Sequence, residues 1–537
     1  MKTSSARNVL NSLGEKMKNA STQVVGWRSH PKRKSSASSL RAGTSSSQEA
    51  VLVAPEGSWR DLREHLLRPD GLERVAFLLL GVRESEDGTE YLLHRVKPVA
   101  DSDCSQQSPV IIEPNPVTVL DNFGSYTESA ASAFAHVHSH PFSGRPEFSA
   151  GDDRFLSGHL NSFFGYLDSA ESDRPRRFLR MVLGTAEDGF YGEVYDEKQT
   201  RIHRIREIRL IGNSGERFLK ATVQKVEEPC EQAETLEPAE HLDRNIRWLG
   251  KDGQKRISEQ RIAICGLGGI GMEILKHCRG LGFRKFILVD PDRLEASNLN
   301  RLFWSPSDVG KTKVELAEEF VHALDPEADV TTFFSKVEEP ECEMALLGAD
   351  IIVGATDSDS ARLSIQLLAA RHLKSIVDLG AGIHLDKARQ SVIAMGGQVS
   401  CYIPGGPCLC CQGLNPGVIM DEGLREVRES VGYIRGTNVS PPSVSTINAV
   451  IAGIAGDLLV RLATGFGEVP RWVGYDMLTH NTQQMSFQRR PGCRVCGDDG
   501  IEGVGTGLVS PLPAKGIEEE IFQNQGAAGL AQESQEA

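Results

Sequence analysis

Residues 261–281 read RIAICGLGGIGMEILKHCRGL. The apolar run Ile262–Cys265 suits a buried strand, and it leads straight into Gly266-Leu-Gly268-Gly269-Ile-Gly271 and then a helix-like segment. Glycine at these positions permits a tight turn and a close backbone approach to a phosphate. The helix N-terminus that follows offers free N–H groups and the positive end of a dipole. The stretch predicts a βαβ nucleotide-binding unit with Gly266, Gly268, Gly269 and Gly271 at the cofactor.

By itself the pattern serves a nicotinamide-dependent dehydrogenase as well as an ATP site. Asp290, at the end of the next strand-like run Phe286–Val289, is placed to hydrogen-bond a ribose in either case. The residues after it separate the two. Ser297-Asn298-Leu-Asn300-Arg301 is followed by Val309-Gly310-Lys311-Thr312-Lys313. A dehydrogenase has no use for this clustering, whereas cations here would offset the charge of an in-line attack and a departing pyrophosphate. Thr356-Asp357 follows the strand-like run Ile351–Val353, at a strand's carboxyl end, where Asp357 can hold Mg²⁺.

These segments, in this order, resemble the ubiquitin-activating enzymes and the bacterial ThiF and MoeB adenylyltransferases, over roughly Leu242 to Gly497. The resemblance takes in Asp243-Arg244-Asn245, whose arginine matches the family's finger onto the ATP of the opposite subunit. It implies ribose binding by Asp290, phosphate contacts by Asn298, Arg301 and Lys313, Mg²⁺ at Asp357 and a homodimer. It implies catalytic roles for Arg244, Arg301 and Lys313. The family usually carries Gln after the arginine of its SNLxR segment, and here Leu302 stands there.

Cys408 and Cys411 form one CxxC pair and Cys493 and Cys496 a second, which together supply the four thiolates of a structural zinc. Cys410 reads as a bystander. Matching pairs occur in the resembled family, whose members often also use a crossover-loop cysteine as thioester acceptor. Gln412 to Gly492 contains no cysteine, and Gly436-Thr-Asn-Val-Ser-Pro-Pro-Ser443 occupies that loop. The favoured expectation is handover of the adenylate directly to a partner. The alternatives are another cysteine (Cys104, Cys230, Cys265, Cys278, Cys342, Cys401 or Cys410) or a reaction that stops at the adenylate.

The first half carries a different pattern. In His136-Val-His138-Ser-His140-Pro141, residues two apart on a strand point the same way, so His138 and His140 can grip one metal. Asp152, in Ser149-Ala-Gly-Asp152, can close the site and leave a position for water, which zinc would ionise near pH 7. Glu73, just before the strand-like run Val75–Leu80, is the candidate general base, and Ser149 could steady an oxyanion. His136 is in phase as well, though Pro141 favours the second pair. The pattern resembles the JAMM motif of JAB/MPN-type metallopeptidases, which cleave ubiquitin-like proteins from a linker or a target lysine, over about Val51 to Leu210.

The chain thus reads as an α/β protein of 537 residues. A basic Ser-rich arm (1–50) precedes a JAMM-type α+β domain (51–215). An acidic linker (216–240) joins it to a Rossmann-like adenylation domain with a mixed, mainly parallel sheet (241–500), and a Gly/Glu/Gln-rich tail (501–537) follows. A net charge of −14 argues against a general nucleic-acid binder. No apolar run reads as a membrane span, since Ile447–Ala455 is too short. With no apolar signal core at the N-terminus, a cytoplasmic location is expected. The expected cofactors are ATP, Mg²⁺ and two zinc ions, one catalytic and one structural. The expected partner is a ubiquitin-like protein, with a conjugating enzyme also implied. Fusions of this pair resemble bacterial ubiquitin-like conjugation modules, some linked to phage defence. The alternative is a sulfur-carrier pathway that ends in a thiocarboxylate.

Overall fold

The computed structural model describes residues 48–85, 88–170, 176–213, 215–221, 240–386, 391–414 and 443–505. Its first half runs β1 (Gln48–Pro55), α1 (Glu56–Leu66), β2 (Val75–Ser85), β3 (Gly88–Pro98), β4 (Cys104–Ser108), β5 (Ile111–Pro114), α2 (Pro116–Glu128), β6 (Ala133–Ser139), α3 (Ala150–Ser169), β7 (Phe178–Leu183), β8 (Phe190–Tyr195), β9 (Arg201–Gly212) and β10 (Gly215–Lys220). An eight-stranded sheet runs β1-β3-β2-β6-β7-β8-β9-β10, and β1 also pairs with β9, closing it on itself.

The unbroken apolar run in β2 has a simple cause. Ala76, Leu78 and Leu80 enter one core with Trp59 and Leu62 of α1, while Val75, Phe77 and Leu79 enter an aromatic core with Phe123 of α2 and Phe163 of α3. A strand covered on both faces needs no polar alternation.

The second half runs α4 (Asp243–Glu259), β11 (Arg261–Cys265), α5 (Gly269–Leu281), β12 (Lys285–Val289), α6 (Lys313–Leu324), β13 (Asp329–Phe333), α7 (Pro340–Leu346), β14 (Ile351–Gly354), α8 (Asp359–Arg371), β15 (Ser375–Asp386), β16 (Ser391–Tyr402), α9 (Ser445–Thr464), β17 (Trp472–Asp476) and β18 (Asn481–Gln484). Its sheet order is β13-β12-β11-β14-β15-β16-β17-β18. The strands from β13 through β15 are parallel, and β16, β17 and β18 are added antiparallel. The carboxyl ends of β11, β12 and β14 gather Gly266, Asp290 and the turn before α8 on one edge, where an open α/β sheet binds ligands.

The two halves share a core. Val51 and Val53 of β1, Leu92 of β3 and Ile211 of β9 lie in the same apolar cluster as Ile264 of β11 and Leu459 of α9. β10 reaches α9 so closely that a Cβ at Gly215 would lie 2.4 Å from the Leu462 carbonyl oxygen.

Several boundaries differ from those expected. β1 begins at Gln48, inside the stretch read as an arm, and β10 occupies residues read as linker. Residues 501–505, read as tail, are held in place, with Glu502 buried. The run Ile447–Ala455 is part of a helix, α9, that is long and apolar enough by length and composition to cross a membrane, although most of it is buried inside the protein. The arm to residue 47, residues 222–239 and the tail from 506 fall outside the described residues.

Candidate functional site

β11 delivers the chain into Gly266, whose φ of +94° is a conformation that L side chains avoid. A Cβ there would sit 2.6 Å from the Ala355 carbonyl oxygen, and one at Gly271 would sit 1.9 Å from the Gly266 oxygen. These contacts press the turn against β14 and the first turn of α5. Gly268 caps α5 without a side chain, so its first N–H groups are left for a ligand, and the space at Gly268 is open.

Asp290 is buried at the end of β12. Its carboxylate accepts from the Leu267 N–H at 2.6 Å and the Asp292 N–H at 2.8 Å. Burial raises its pKa, and the Lys313 ammonium 3.6 Å away opposes the rise. Lys313 opens α6 and donates to Asp292 at 2.7 Å. Arg301 donates to the Ser297 carbonyl and to Asn300 Oδ1, both at 3.0 Å, and its stem lies against Gly269. Asn298 is buried and accepts from the Glu295 N–H at 3.1 Å. Asp357 is exposed in the turn between β14 and α8.

The glycine turn, Asp290, Lys313 and Arg301 are therefore contiguous. Arg244 is exposed in the first turn of α4, and no hydrogen bond or ion pair among the described residues ties it to this group. Sequence reading missed Asp292, two residues past Asp290 and the direct partner of Lys313. It also missed the pairing of the half-buried Arg362 with the buried Asp378. The only signal for that pair was a basic residue five positions beyond Asp357. Leu302 is buried with Leu294 and Leu316, which explains an apolar residue where glutamine is usual.

The Sγ atoms of Cys408, Cys411, Cys493 and Cys496 lie within 4.8 Å of one another. Cys408–Cys493 and Cys411–Cys496 are each 3.6 Å apart. A tetrahedron with ~2.3 Å metal–sulfur bonds has edges of about 3.8 Å, so the thiol set fits zinc. Cys410 is buried outside the set. Of the other cysteines, Cys265, Cys278, Cys342 and Cys401 are buried, and burial raises every one of these thiols, Cys278 and Cys401 to about 12. Cys104 is half-buried and also raised by burial. Among the described residues these are poor thiolates at neutral pH. Cys230 and residues 436–442 of the crossover segment lie outside the described residues.

In the first half, β6 and the start of α3 bring His138, His140 and Asp152 together. His138 Nε2 lies 3.3 Å from Asp152 Oδ1, and His140 Nε2 lies 3.5 Å from Asp152 Oδ2. Burial disfavours the Asp152 carboxylate, but the facing imidazoles outweigh it and hold the group well below the usual range. Both ring nitrogens of the buried His138 lack a hydrogen-bond partner. An orphaned buried imidazole facing a carboxylate and a second imidazole fits a divalent metal with a water position.

Glu73 Oε1 lies 3.8 Å from His140 Nε2. Burial raises its carboxyl to about 7, with His140 opposing and Asp152 adding. The β4–β5 hairpin fixes its backbone, because the Glu73 N–H donates to the Ser108 carbonyl at 3.1 Å. Ser149 is the N-cap of α3. Its Oγ accepts from the Asp152 N–H at 3.2 Å, and its own N–H donates to Asp152 Oδ2 at 2.6 Å, which orients Asp152. His136 stands outside the metal set, packed on His159 and Phe77 at ring distances of 5.0 and 5.7 Å.

Residues 242–495 match the ThiF family. Among similar proteins is a SAMP-activating enzyme E1 of Haloferax volcanii, 27% identical over 277 residues, covering 50% of this chain and 93% of that protein. The molybdopterin-synthase adenylyltransferase of Escherichia coli is 26% identical over 263 residues, covering 47% and 93%. A ubiquitin-like modifier-activating enzyme 5 of Caenorhabditis elegans is 24% identical over 284 residues, covering 50% of this chain and 63% of that protein. Residues 242–495 of this chain thus form a ThiF/MoeB-like adenylyltransferase domain.

Proposed function

We propose that the ThiF-type domain adenylates the C-terminal carboxylate of a ubiquitin-like or sulfur-carrier protein. One observation carries the reading: the glycine turn, the buried Asp290 and the Lys313 ammonium meet at one edge of the sheet. The free N–H groups of α5 would hold phosphate oxygens, and Asp290 would accept from a ribose hydroxyl. Lys313 exchanges Asp292 for phosphate, and Arg301 turns from Ser297 toward it. The carrier carboxylate attacks the α-phosphorus, the bond to the β-phosphate oxygen breaks, and pyrophosphate leaves under the two cations. Asp357 is the residue to hold Mg²⁺, which supplies charge neutralisation on the phosphates. Arg244 is assigned to the nucleotide of a second copy, so the proposal includes a homodimer.

A second reading rests on the first-half site. His138, His140 and Asp152 would hold zinc, which supplies the acidity that ionises a water near neutral pH. Glu73 would take that water's proton and pass it to the leaving amine, and the Ser149 O–H, free to donate while its oxygen caps α3, would face the oxyanion. Together the sites would release a ubiquitin-like protein from a precursor or target and activate its new carboxyl end, ready for a conjugating enzyme.

The test for adenylation is exchange of labelled pyrophosphate into ATP by the full chain. Exchange should appear only with the cognate carrier and be lost in Asp290→Ala. Failure with every carrier, under conditions in which a ThiF-type enzyme works, would sink the reading.

A further inference from the structure

Asp378 lies on β15, a buried carboxylate inside the second half. Arg362 Nη1, on α8, is 3.6 Å from its Oδ2. The rest of that guanidinium is spent on backbone. Nε and Nη2 both donate to the Thr356 carbonyl, at 3.2 and 3.0 Å, and Nη2 also reaches the Leu379 carbonyl at 2.9 Å. The backbone is cleared around the pair. A Cβ on Gly354 would sit 2.7 Å from Asp378 Oδ1, and one on Gly380 would sit 3.3 Å from Arg362 Nη2.

The carbonyl that Arg362 clamps is the one immediately before Asp357. The same short turn is fixed on its other side by the Ala355 N–H donating to the Cys265 carbonyl at 2.8 Å, and it lies against Gly266. The turn thus has two anchors: the strand that carries the glycine loop and the Arg362 fork. Asp357 follows both anchored groups directly and is exposed.

We propose that Arg362, oriented by Asp378, is a positioning residue that holds Asp357 in register with the glycine turn and so sets the affinity of the nucleotide site for its divalent cation. The inference rests on the adenylation reading. Only a planar fork can donate twice to Thr356 while facing Asp378. A lysine keeps one positive charge beside the carboxylate but leaves the carbonyl unclamped.

The experiment uses the full chain. Mn²⁺ binding is followed by electron paramagnetic resonance with and without a non-hydrolysable ATP analogue, so that only nucleotide-dependent binding is scored. Asp357→Ala serves as the control that should abolish it. Arg362→Lys is expected to keep the wild-type melting temperature within a few degrees and weaken nucleotide-dependent Mn²⁺ binding about tenfold. The Mg²⁺ needed for half-maximal pyrophosphate exchange should rise in parallel, with the rate at saturating Mg²⁺ retained. Asp378→Asn, nearly isosteric, should shift both in the same direction by a smaller factor. Folded variants with unchanged Mn²⁺ affinity and Mg²⁺ dependence would overturn the proposal. Unfolding of both variants would also overturn it, since the pair would then serve stability alone. A wild-type chain that neither binds Mn²⁺ with the analogue nor exchanges pyrophosphate would instead remove the adenylation reading itself.

Discussion

The Nδ1 of His94, on β3, lies 2.7 Å from the carbonyl oxygen of Glu502. The contact belongs to a strap. After Cys496 the chain passes under Arg95, which donates to the carbonyls of Gly497 and Gly500, each at 2.9 Å, and reaches a bridge between Val82 and Gly505. Gly503 and Gly505 donate back to the carbonyls of Ala370 and Arg371 at the end of α8. The Glu502 carboxylate accepts from the Tyr402 hydroxyl at 2.7 Å and the Gly405 N–H at 2.8 Å. The four-cysteine site is where this strap is tied. Cys493→Ser should therefore loosen more than its own loop. Hydrogen exchange at residues 89–96 is expected to speed up together with residues 497–505, whereas β7 and β8 keep their protection. A β3 unchanged in the variant would show that the strap holds without the intact four-cysteine cluster.

Acid should open the same interface. Burial lowers His94 to about 4 and His372 to about 3 from an ordinary 6.5, with neighbouring Arg95 and Arg83 adding to the effect. A base depressed in the folded state is protonated first in the unfolded chain, so stability falls as pH drops below about 6.5 and stops falling near the folded value. For His94 that window is worth about 3 kcal/mol. Glu502, raised by burial, runs the other way, so the difference between variants isolates the histidine. His94→Gln should lose less stability between pH 7 and pH 4.5 than wild type in urea unfolding. Parallel pH profiles would refute the assignment.

Lys313 sits where two acidic groups and a triphosphate would compete for it. Lys313→Ala should lower pyrophosphate exchange by roughly 10²-fold or more, as expected for a cation that acts on charge developing at the leaving group. Global stability should fall as well, because Asp292 is largely exposed and regains water but the buried Asp290 loses the ammonium 3.6 Å from it. Exchange within twofold of wild type would remove Lys313 from the chemistry.

Much of this is legible in the sequence alone. The glycine turn, the order of Asp290, Arg301, Lys313 and Asp357, and the paired cysteines are local patterns whose chemistry depends on residue type and spacing. What escaped was set by distant partners. β10 falls in the segment expected as linker because of the acidic, proline-containing run Glu227–Glu240 that follows it. Only its pairing with β9 and the close approach to Leu462 make it a strand. The strap looked like a low-complexity tail because its affinity lies in backbone groups that Arg95 and α8 satisfy. α9 looked short because Asp457 interrupts the apolar run, yet Asp457 pairs with Arg461 one turn on and leaves the buried face continuous. Leu302 makes the same point from the side of the family pattern. Its departure from the usual glutamine is legible as a letter, but its reason is a three-leucine contact with Leu294 and Leu316. A glutamine there would have to bury an amide in an apolar pocket.

The first-half site invites the most decisive substitution. Glu73 lies 3.8 Å from His140, and His138, His140 and Asp152 could hold a metal ion without it. Its carboxyl lies in a buried position that raises it to about 7, the range in which a carboxylate can both take and return a proton near neutral pH. Glu73→Gln preserves shape and removes only that capacity. The variant should bind zinc with wild-type stoichiometry by elemental analysis and melt within a few degrees of wild type. Cleavage of a carrier–peptide fusion should slow by about 10²-fold or more, in the range of a lost general base. His138→Ala, by contrast, should lose both zinc and cleavage. A Glu73→Gln protein that cleaves at the wild-type rate would exclude Glu73 as the base. A wild-type chain that takes up no zinc at this site would leave the buried imidazoles as a structural cluster and remove the peptidase reading with them.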